Sequence, residues 1–393
     1  MFLLFFLGIV ILIMGILENE FHRKRVNTIP IRIHVNGTRG KSTTVRLIAA
    51  ILREAGYRTL AKTTGTSPKI ILENGDEELI RRKGPSNIIE QKYFIKKAFF
   101  KRCNAIVVEC MAVHPETQWV SEHRLIYSTI GVITNVREDH QDVYGPDLKD
   151  AANSLMATIP KNGVFITADK KFFPLFQSLA EKLNSKSILV DPKEISFPEK
   201  EKSENILFKE NVAIALQIGQ LLNIEENICW KGILKARPDP GALTIYKLKV
   251  EGKLLWFVNA FAANDRESIL LIWDKINQLL PEKVVNSPKI AILNNRNDRI
   301  TRIVQFASIL SKEITVDHIF LAGQNTTLSY NQLRKNGYPS QQITAVNEKV
   351  DIDHTMEQIS HFIEEEGILY GLGNTRGFGL RLMDYLQEKG EKL

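Results

Sequence analysis

The first half of the chain alternates short apolar runs with segments of helical periodicity. Residues 31–35 alternate apolar and polar side chains, as in a strand with one buried face, and the run stops at Gly37. Between residues 43 and 55 apolar side chains recur at helical spacing, and Gly56 stands where a helix commonly ends. Further apolar runs predict strands at 57–64, 105–109, 130–134, 163–169 and 187–190. Residues 68–102 show no period and predict irregular structure. Strands alternating with helices predict an α/β domain on a largely parallel sheet.

The second half repeats this alternation on a smaller scale. A helical stripe at 211–222 precedes the segment Arg237-Pro-Asp-Pro-Gly241, where two prolines and a glycine cannot continue a helix. We therefore predict a domain boundary there and three parts, residues 1–20, 21–236 and 237–393. Apolar runs that end in Gly, Asn or Asp predict strands at 254–259, 289–293, 318–321 and 367–371. They outline a smaller, Rossmann-like, doubly wound domain.

Residues 2–17 form an uncharged apolar run. As a helix rising about 1.5 Å per residue, the run would be about 25 Å long, slightly shorter than the hydrocarbon core of a bilayer. No Lys or Arg precedes it and no small-x-small site follows, which disfavours a cleaved signal peptide. A buried core helix is the other alternative. Because His22-Arg-Lys-Arg25 follows, the positive-inside rule predicts a single-pass anchor in the cell membrane, with the catalytic body on the cytoplasmic side.

Composition changes this picture little. A chain of 393 residues is long for one core, which favours two globular domains. The 52 Lys and Arg against 45 Asp and Glu give a net charge of +7, which is too small and too dispersed to indicate nucleic-acid binding. Cys103, Cys110 and Cys229 form no C-x-x-C pair and are odd in number, which indicates free thiols in a reducing compartment and argues against a cysteine-based metal site.

The loop between the first predicted strand and its helix has the composition of a phosphate cradle. Its residues are Gly37, Thr38, Arg39, Gly40, Lys41, Ser42 and Thr43. Val35 stands where the strict G-x-x-x-x-G-K-[ST] pattern has its first glycine, so the loop fits a shorter form, G-T-x-G-K-[ST]-T. The glycines let backbone N–H groups point inward, the helix N-terminus favours anions, and Lys41 reaches the terminal phosphates. Ser42 or Thr43 would hold Mg²⁺. A glycine-rich turn before an ordinary helix is the alternative.

Two further predicted strands end in groups that suit a divalent cation. The run at 105–109 is apolar up to Glu109, and because burying an unpaired carboxylate is costly, this position favours a ligand of Mg²⁺. The strand at 130–134 leads into a loop where His140 lies among Asn135, Asp139 and Asp142, so its imidazole is a candidate ligand for a second ion. Strand ends of this kind line the ligand site in open α/β sheets.

Together these motifs resemble the Mur ligase superfamily. The resemblance to its central domain rests on the loop G-T-R-G-K-S-T, on Glu109, on N-V-x-E-D-H-x-D-x-x-G at 135–145 and on Asn211-x-x-x-Ala215. The Asn-rich strand ends of the second part resemble its C-terminal domain. The chain resembles one branch more closely, the CapB/PgsB-type ligase subunit of poly-γ-glutamate synthase. This resemblance rests on the apolar N-terminus and on five segments: K-T-T-G-T at 62–66, E-C-M-A-V at 109–113, P-D-P-G-A at 238–242, V-N-A-F-A-A-N-D at 258–265 and N-x-R-x-D-R at 294–299.

The resemblance implies an ATP-dependent, ADP-forming amide ligase that makes poly-γ-glutamate, as a capsule or secreted polymer, through an acyl phosphate. ATP and Mg²⁺ would be the cofactors; glutamate, the growing chain, the membrane and further membrane subunits would be the partners. The implied catalytic residues are Lys41, Glu109, His140 and Arg296, and the implied metal ligands are Ser42, Thr43, Glu109 and His140. Besides the phosphate loop, the nucleotide would be contacted by Arg237, Asn264, Asp265 and Arg299. Solvated or interdomain ion pairs are the alternative for the arginines.

One feature of the superfamily has no match. Many Mur ligases carry a carbamylated lysine about four helical turns after the motif histidine, as a bridge between two Mg²⁺ ions. Here Leu155 falls near that position, and neither Lys149 nor Lys161 aligns with it. A second, carbamate-bridged Mg²⁺ is therefore not expected.

Two other functions are compatible with the ATP-binding motifs. A folylpolyglutamate-synthase-like ligase would act on a small soluble acceptor, which the apolar N-terminus disfavours. A membrane-tethered regulatory NTPase would need no acceptor site, and the strand-end motifs of the second domain disfavour it.

Overall fold

A computed structural model of the chain describes residues 2–65, 68–82, 84–198, 207–239, 243–297, 299–347 and 351–393. The chain divides into two compact units, Met1–Pro240 and Gly241–Leu393. Each unit has its own sheet and its own apolar core.

In the described part of unit 1, eight strands form one sheet in the order β4-β3-β2-β5-β1-β6-β7-β8. The strands are β1 Ile31–Asn36, β2 Thr59–Thr63, β3 Lys69–Ile71, β4 Glu77–Leu79, β5 Ala105–Glu109, β6 Ile130–Ile133, β7 Val164–Thr167 and β8 Lys186–Leu189. Neighbours from β2 to β8 pair in parallel, whereas β3 and β4 extend the β2 edge in antiparallel pairing. The carboxyl ends of β1, β5 and β6, three adjacent strands, therefore meet at one edge.

The helices of unit 1 pack on the two faces of this sheet, except that most of α1 before His22 is exposed. They are α1 Phe2–Asn27, α2 Lys41–Glu54, α3 Glu90–Phe100, α4 Pro115–Val120, α5 Gln141–Tyr144, α6 Leu148–Leu155, α7 Phe173–Lys182, α8 Lys209–Leu221 and α9 Glu226–Lys235. The π-helical turn Ser121–Ile126 continues α4. Val45, Ile48 and Leu52 of α2 are fully buried, and α2 contacts α8 and α9. Since each such side chain stabilises the fold by about 1.5–3 kcal/mol, α2 is firmly held.

Residues 68–102 are more regular than their sequence pattern predicts, because they contain β3, β4 and α3. The two strands have three residues each, too few to show a period. In α3 the aromatic side chains Tyr93 and Phe100 are exposed, whereas Phe94 and Ile95 are buried, so apolar residues occupy both faces and blur the helical stripe. The prediction of irregular structure was wrong here.

The N-terminal apolar run continues into a longer helix than its hydropathy indicates. Within the described residues, α1 is the one helix long and apolar enough to cross a membrane, with a mean hydropathy of 2.4 in its most apolar window. It has 26 residues, and its last turns carry the charged residues from Glu18 to Arg25.

In the described part of unit 2, seven strands form a sheet in the order β13-β12-β11-β14-β10-β9-β15. The strands are β9 Thr244–Val250, β10 Lys253–Asn259, β11 Lys289–Asn295, β12 His318–Gly323, β13 Ile343–Ala345, β14 Glu366–Gly373 and β15 Glu391–Lys392, and the helices are α10 Arg266–Leu279, α11 Glu282–Val285, α12 Ile300–Lys312, α13 Thr326–Lys335, α14 Ile352–Ser360 and α15 Phe378–Lys389. Pairing is parallel except at β9 and β15. The four predicted strands are β10, β11, β12 and β14, and the sequence pattern missed β9, β13 and β15.

Candidate active site

The loop between β1 and α2 has the backbone of a tight phosphate loop. Gly37 has a φ of +122° and Gly40 a φ of +80°, which side chains disfavour. A Cβ at Gly37 would lie 2.1 Å from Thr134 Oγ1, and one at Gly40 would lie 2.4 Å from Asn211 Oδ1. Both positions therefore need glycine for conformation and for space.

The loop is tied to the segment after β6 by hydrogen bonds. The amide of Thr38 donates to the carbonyl of Asn135 (3.0 Å), and the amide of Arg39 donates to Asn135 Oδ1 (3.0 Å). Two donors reach the carbonyl oxygen of Arg39, namely Thr134 Oγ1 at 2.7 Å and Asn135 Nδ2 at 3.1 Å. The guanidinium of Arg39 lies 3.2 Å from the carboxylate of Asp139. Five polar contacts thus fix the conformation of the loop.

Lys41 begins α2, and its side chain folds back over the loop. Its Nζ donates to the carbonyl oxygens of Gly37 (2.7 Å) and Thr38 (3.2 Å). The ammonium group therefore lies at the N-terminus of α2, where the helix dipole also favours an anion.

Glu109, at the carboxyl end of β5, meets the start of α2. Its Oε2 accepts hydrogen bonds from Ser42 Oγ and from the amide of Thr64, each at 2.8 Å. A hydroxyl and a carboxylate are the hard oxygen donors that Mg²⁺ prefers, and Mg²⁺ commonly takes only one or two protein ligands beside phosphate and water. Ser42 and Glu109 therefore fit one divalent ion. Thr43 is half-buried next to Ser42.

A cleft of about 250 Å³ lies beside the loop. Lys41, Glu109, His140 and Tyr144 are among its lining residues. His140 has a φ of +47°, and its amide donates to Asp139 Oδ1 at 3.1 Å, so the loop presents the imidazole on a strained backbone. In the described residues no group of three or more His, Cys, Asp or Glu side chains could hold a metal ion. The side chain of Asp142 lies outside what the structure describes.

The remaining predicted residues belong to other segments of the chain. Arg237, near the end of unit 1, is 64% exposed and lies 3.7 Å from Asp76. In unit 2, Asn264 and Asp265 follow β10, and Arg296 and Arg299 follow β11, with β14 between the two strands. The carboxylate of Asp265 caps α10 by accepting hydrogen bonds from Ser268 N (2.9 Å) and Ser268 Oγ (2.7 Å). Leu155, near the position of the carbamylated lysine, is fully buried.

Sequence reasoning included Lys62 in the motif K-T-T-G-T but gave no role to this lysine, which the structure buries near the cleft. Lys62 on β2 is 1% exposed, and its Nζ lies 3.1 Å from Glu90 and donates to Gln91 Oε1 at 3.2 Å. Burial lowers the pKa of Lys62 despite the neighbouring carboxylate. Glu90 and Gln91 are 28 and 29 residues away from Lys62 in sequence, so no local pattern indicated these contacts.

A second buried ion pair was also missed. His34 on β1 donates from Nδ1 to Glu122 Oε2 at 2.8 Å, and Glu122 Oε1 accepts from the amide and the hydroxyl of Ser128. Burial by itself would lower the pKa of His34, but its interactions with Cys110 and Glu122 outweigh burial and raise the pKa to about 9. The alternation of apolar and polar residues in β1 indicated only that His34 lies on the polar face of a strand.

Each of the two units matches a known domain family. Residues 35–223 match the Mur ligase middle domain, and residues 245–389 match the poly-γ-glutamate synthase CapB C-terminal domain. The chain is 37% identical to the capsule biosynthesis protein CapB of Bacillus anthracis, over 98% of this chain and 83% of the relative. It is 38% identical to the PGA synthase CapB of Bacillus subtilis (strain 168), over 99% of this chain and 98% of the relative.

The fold is also shared with solved structures. A bifunctional folylpolyglutamate synthase/dihydrofolate synthase with Mn, AMPPNP and L-glutamate bound aligns with a TM-score of 0.66 at 15% identity, covering 94% of this chain and 92% of its own. The predicted fold class, α/β with a Mur-ligase-like first unit, is confirmed. Because the chain is 37% and 38% identical to the two CapB relatives over at least 98% of its own length, it belongs to the CapB family of poly-γ-glutamate synthases, within the Mur ligase superfamily.

Proposed function

We propose that this chain is an ATP-dependent amide ligase that joins glutamate through γ-glutamyl bonds into poly-γ-glutamate. The observation that carries the proposal is the phosphate loop with Lys41 at its centre and the Ser42–Glu109 pair beside it. These groups offer a cation and hard oxygen donors, as phosphoryl transfer requires, and the chemistry calls for charge stabilisation rather than for a nucleophilic side chain.

The reaction takes two steps. A γ-carboxylate oxygen attacks the γ-phosphorus of ATP, and the bond to ADP breaks to give an acyl phosphate. The amine of the next glutamate then attacks the acyl carbon, the amide forms, and phosphate and a proton leave. Lys41 and the amides of the loop hold the transferring phosphate and stabilise its negative charge. Mg²⁺, held by Ser42 and Glu109, would neutralise phosphate oxygens during the first step.

Other residues have supporting roles in this proposal. His140, in the same cleft, is the candidate for a second ion. From unit 2, Asn264, Asp265, Arg296 and Arg299 are proposed to reach the nucleotide or the acyl phosphate when the enzyme closes, together with Arg237. Because Asp265 already caps α10, any contact to the nucleotide must coexist with that cap.

The proposed location follows from α1. We infer that α1 crosses the cell membrane once and that both units lie on the cytoplasmic side, where ATP and glutamate are available. Other membrane subunits are proposed as partners, because the product is a long polyanion that must leave the cell.

ADP release by the detergent-solubilised full chain tests the function. With Mg²⁺-ATP we expect release that requires glutamate and that falls at least about 10²-fold in Lys41→Ala, the scale on which removal of one transition-state contact acts. Lys186→Ala, an exposed lysine at the end of the sheet, is the matched control and should behave as wild type.

The products separate the alternatives. Glutamate-containing polymer supports the proposal. Addition of single glutamates to a small soluble acceptor would indicate a folylpolyglutamate-synthase-like enzyme instead. ADP release that does not depend on glutamate would indicate a regulatory NTPase and would refute the proposed ligase activity.

A further inference from the structure

α1 does not end at the edge of unit 1, because its last turns are part of the core. His22 is 2% exposed, and its Nε2 lies 2.7 Å from the carbonyl oxygen of Leu125. Val26 and, just after the helix, Ile29 are buried in a cluster with Phe94 and Ile95 of α3. The apolar segment 2–17 and the folded unit are therefore joined by one unbroken helix, so the direction of that segment is fixed relative to unit 1.

An ion pair shows which surface of unit 1 lies next to the apolar segment. Glu18 is the first charged residue after that segment. Its Oε1 lies 3.0 Å from Nζ of Lys92, in the first turn of α3. The start of α3 is therefore within reach of two side chains, those of Lys92 and Glu18, from the level at which the apolar segment of α1 ends.

The surface at this level combines exposed apolar side chains with more basic than acidic ones. Phe21 is 55% exposed, Ile89 is 49% exposed and Tyr93 is 70% exposed. Lys92 and Lys96 flank Tyr93 on α3, and the side chain of Lys96 is exposed. We call Phe21, Ile89, Lys92, Tyr93 and Lys96 the interface patch. The core of unit 1 does not account for these apolar side chains, because α3 buries its opposite face, with Phe94 and Ile95.

We propose that the interface patch lies in the headgroup layer of the bilayer that α1 crosses and contacts anionic lipid there. The proposal rests on the membrane location given under the proposed function. Three observations support lipid as the occupant: the patch is continuous with the apolar segment, it combines aromatic and aliphatic side chains with lysine, and the basic residues Arg23 and Lys24 are exposed next to Phe21. Aromatic rings prefer the headgroup level, and lysine stems lie along apolar surface while their charges reach phosphates.

This contact would hold unit 1 against the membrane, in addition to the unbroken helix that already fixes the direction of the apolar segment relative to unit 1. The consequence for function is geometric, because a fixed unit delivers its product from a constant distance to the bilayer. A fluorophore on the patch should therefore sense lipid, whereas a fluorophore elsewhere on unit 1 should not.

The test uses the full chain reconstituted into vesicles of phosphatidylcholine and phosphatidylglycerol. An environment-sensitive fluorophore is attached to Tyr93→Cys, and the matched control carries it at Lys186→Cys, on β8 at the other side of the sheet. The three native thiols are buried, so labelling is selective. Flotation with the vesicles reports anchoring, lipid carrying a nitroxide near the headgroup reports contact, and ADP release in detergent reports the ligase activity separately.

We expect the labelled chain to float with the vesicles, and quenching with a blue-shifted emission at position 93 but not at position 186. Adding Lys96→Gln should lower the ratio of docked to undocked molecules about fivefold in anionic vesicles, and should have no such effect in vesicles of phosphatidylcholine alone. Flotation with equal, weak quenching at both positions would overturn the interface patch while leaving the anchor. Failure to float would overturn the anchor and the patch together. Neither result would affect the ligase proposal, which stands or falls on ADP release.

Discussion

Glutamine in place of Glu109 separates the structural role of this residue from its proposed role in binding metal. In the structure Oε2 accepts two hydrogen bonds at 2.8 Å, from Ser42 and Thr64, and the residue is 3% exposed. A glutamine carbonyl oxygen can accept from the same two donors, because both reach one oxygen atom. The substitution therefore keeps the shape and removes the charge.

The two effects are read from different measurements. A hydrogen bond to a charged acceptor contributes about 1.5–3 kcal/mol and one to a neutral acceptor about 0.5–1.5 kcal/mol, so the loss of charge across two bonds in Glu109→Gln should lower the free energy of unfolding by about 2–3 kcal/mol. Loss of a charged metal ligand should remove about 3 kcal/mol of transition-state stabilisation, which is about 10²-fold in kcat. Glu109→Ala would leave both donors unpaired and should be clearly less stable than Glu109→Gln.

Glu122→Gln is the matched control, since Glu122 is 1% exposed and accepts hydrogen bonds from His34 and Ser128. It should lower stability without changing the metal dependence of turnover. The assay titrates Mg²⁺ against glutamate-dependent ADP release, beside thermal unfolding of each variant. A folded Glu109→Gln enzyme with the kcat of wild type at saturating Mg²⁺ would refute the reasoning.

Two further predictions concern the loop and the buried histidine. Gly40→Ala should lose about 1–3 kcal/mol of stability to backbone strain, and also ATP affinity, because its Cβ would lie 2.4 Å from Asn211 Oδ1. Gly252→Ala has a similar φ of +77° but no atom within 4 Å, so calorimetric titration with ATP should find normal affinity in that control; equal affinities in both variants would contradict the prediction. The pKa of His34 is raised from 6.5 to about 9, so its stabilising contribution is complete below pH 6.5 and is lost as the pH rises through 9. Unfolding temperatures across this range should fall less steeply in His34→Gln than in wild type, and parallel curves would count against a charged His34.

The sequence predicted most reliably those features that local patterns encode. The strand, glycine loop and helix from Ile31 to Glu54 follow from alternation, from residues that tolerate positive φ and from helical periodicity, all within 24 residues. Glu109 was found because a carboxylate at the end of a fully apolar strand is unusual. The two hydrogen bonds that define its position could not be predicted, since Ser42 is 67 residues away.

Features that depend on contacts distant in sequence were missed. The pair of His34 and Glu122 spans 88 residues, and neither partner has a local signature. Helix α3 was missed because Tyr93 and Phe100 are exposed, contrary to the rule that aromatic residues mark the buried face. The edge strand β13 has only three residues. In each case the structure depends on which residues, distant in sequence, pack against a given side chain.

The hydrogen bonds that the loop already forms bear on how the proposed nucleotide would bind. The backbone of the loop is already held by Thr134 and Asn135, so binding phosphate requires little further ordering of the chain, and the entropy of ordering those residues is lost on folding instead. Lys41, by contrast, occupies two carbonyl oxygens of the loop. In the proposed binding mode its ammonium group would exchange these neutral acceptors for charged phosphate oxygens, which form the stronger hydrogen bonds, so the exchange would favour the bound state. The proposed exchange would select a charged phosphate over a neutral ligand, because an anion forms stronger hydrogen bonds with the Lys41 ammonium group than the two carbonyl oxygens do.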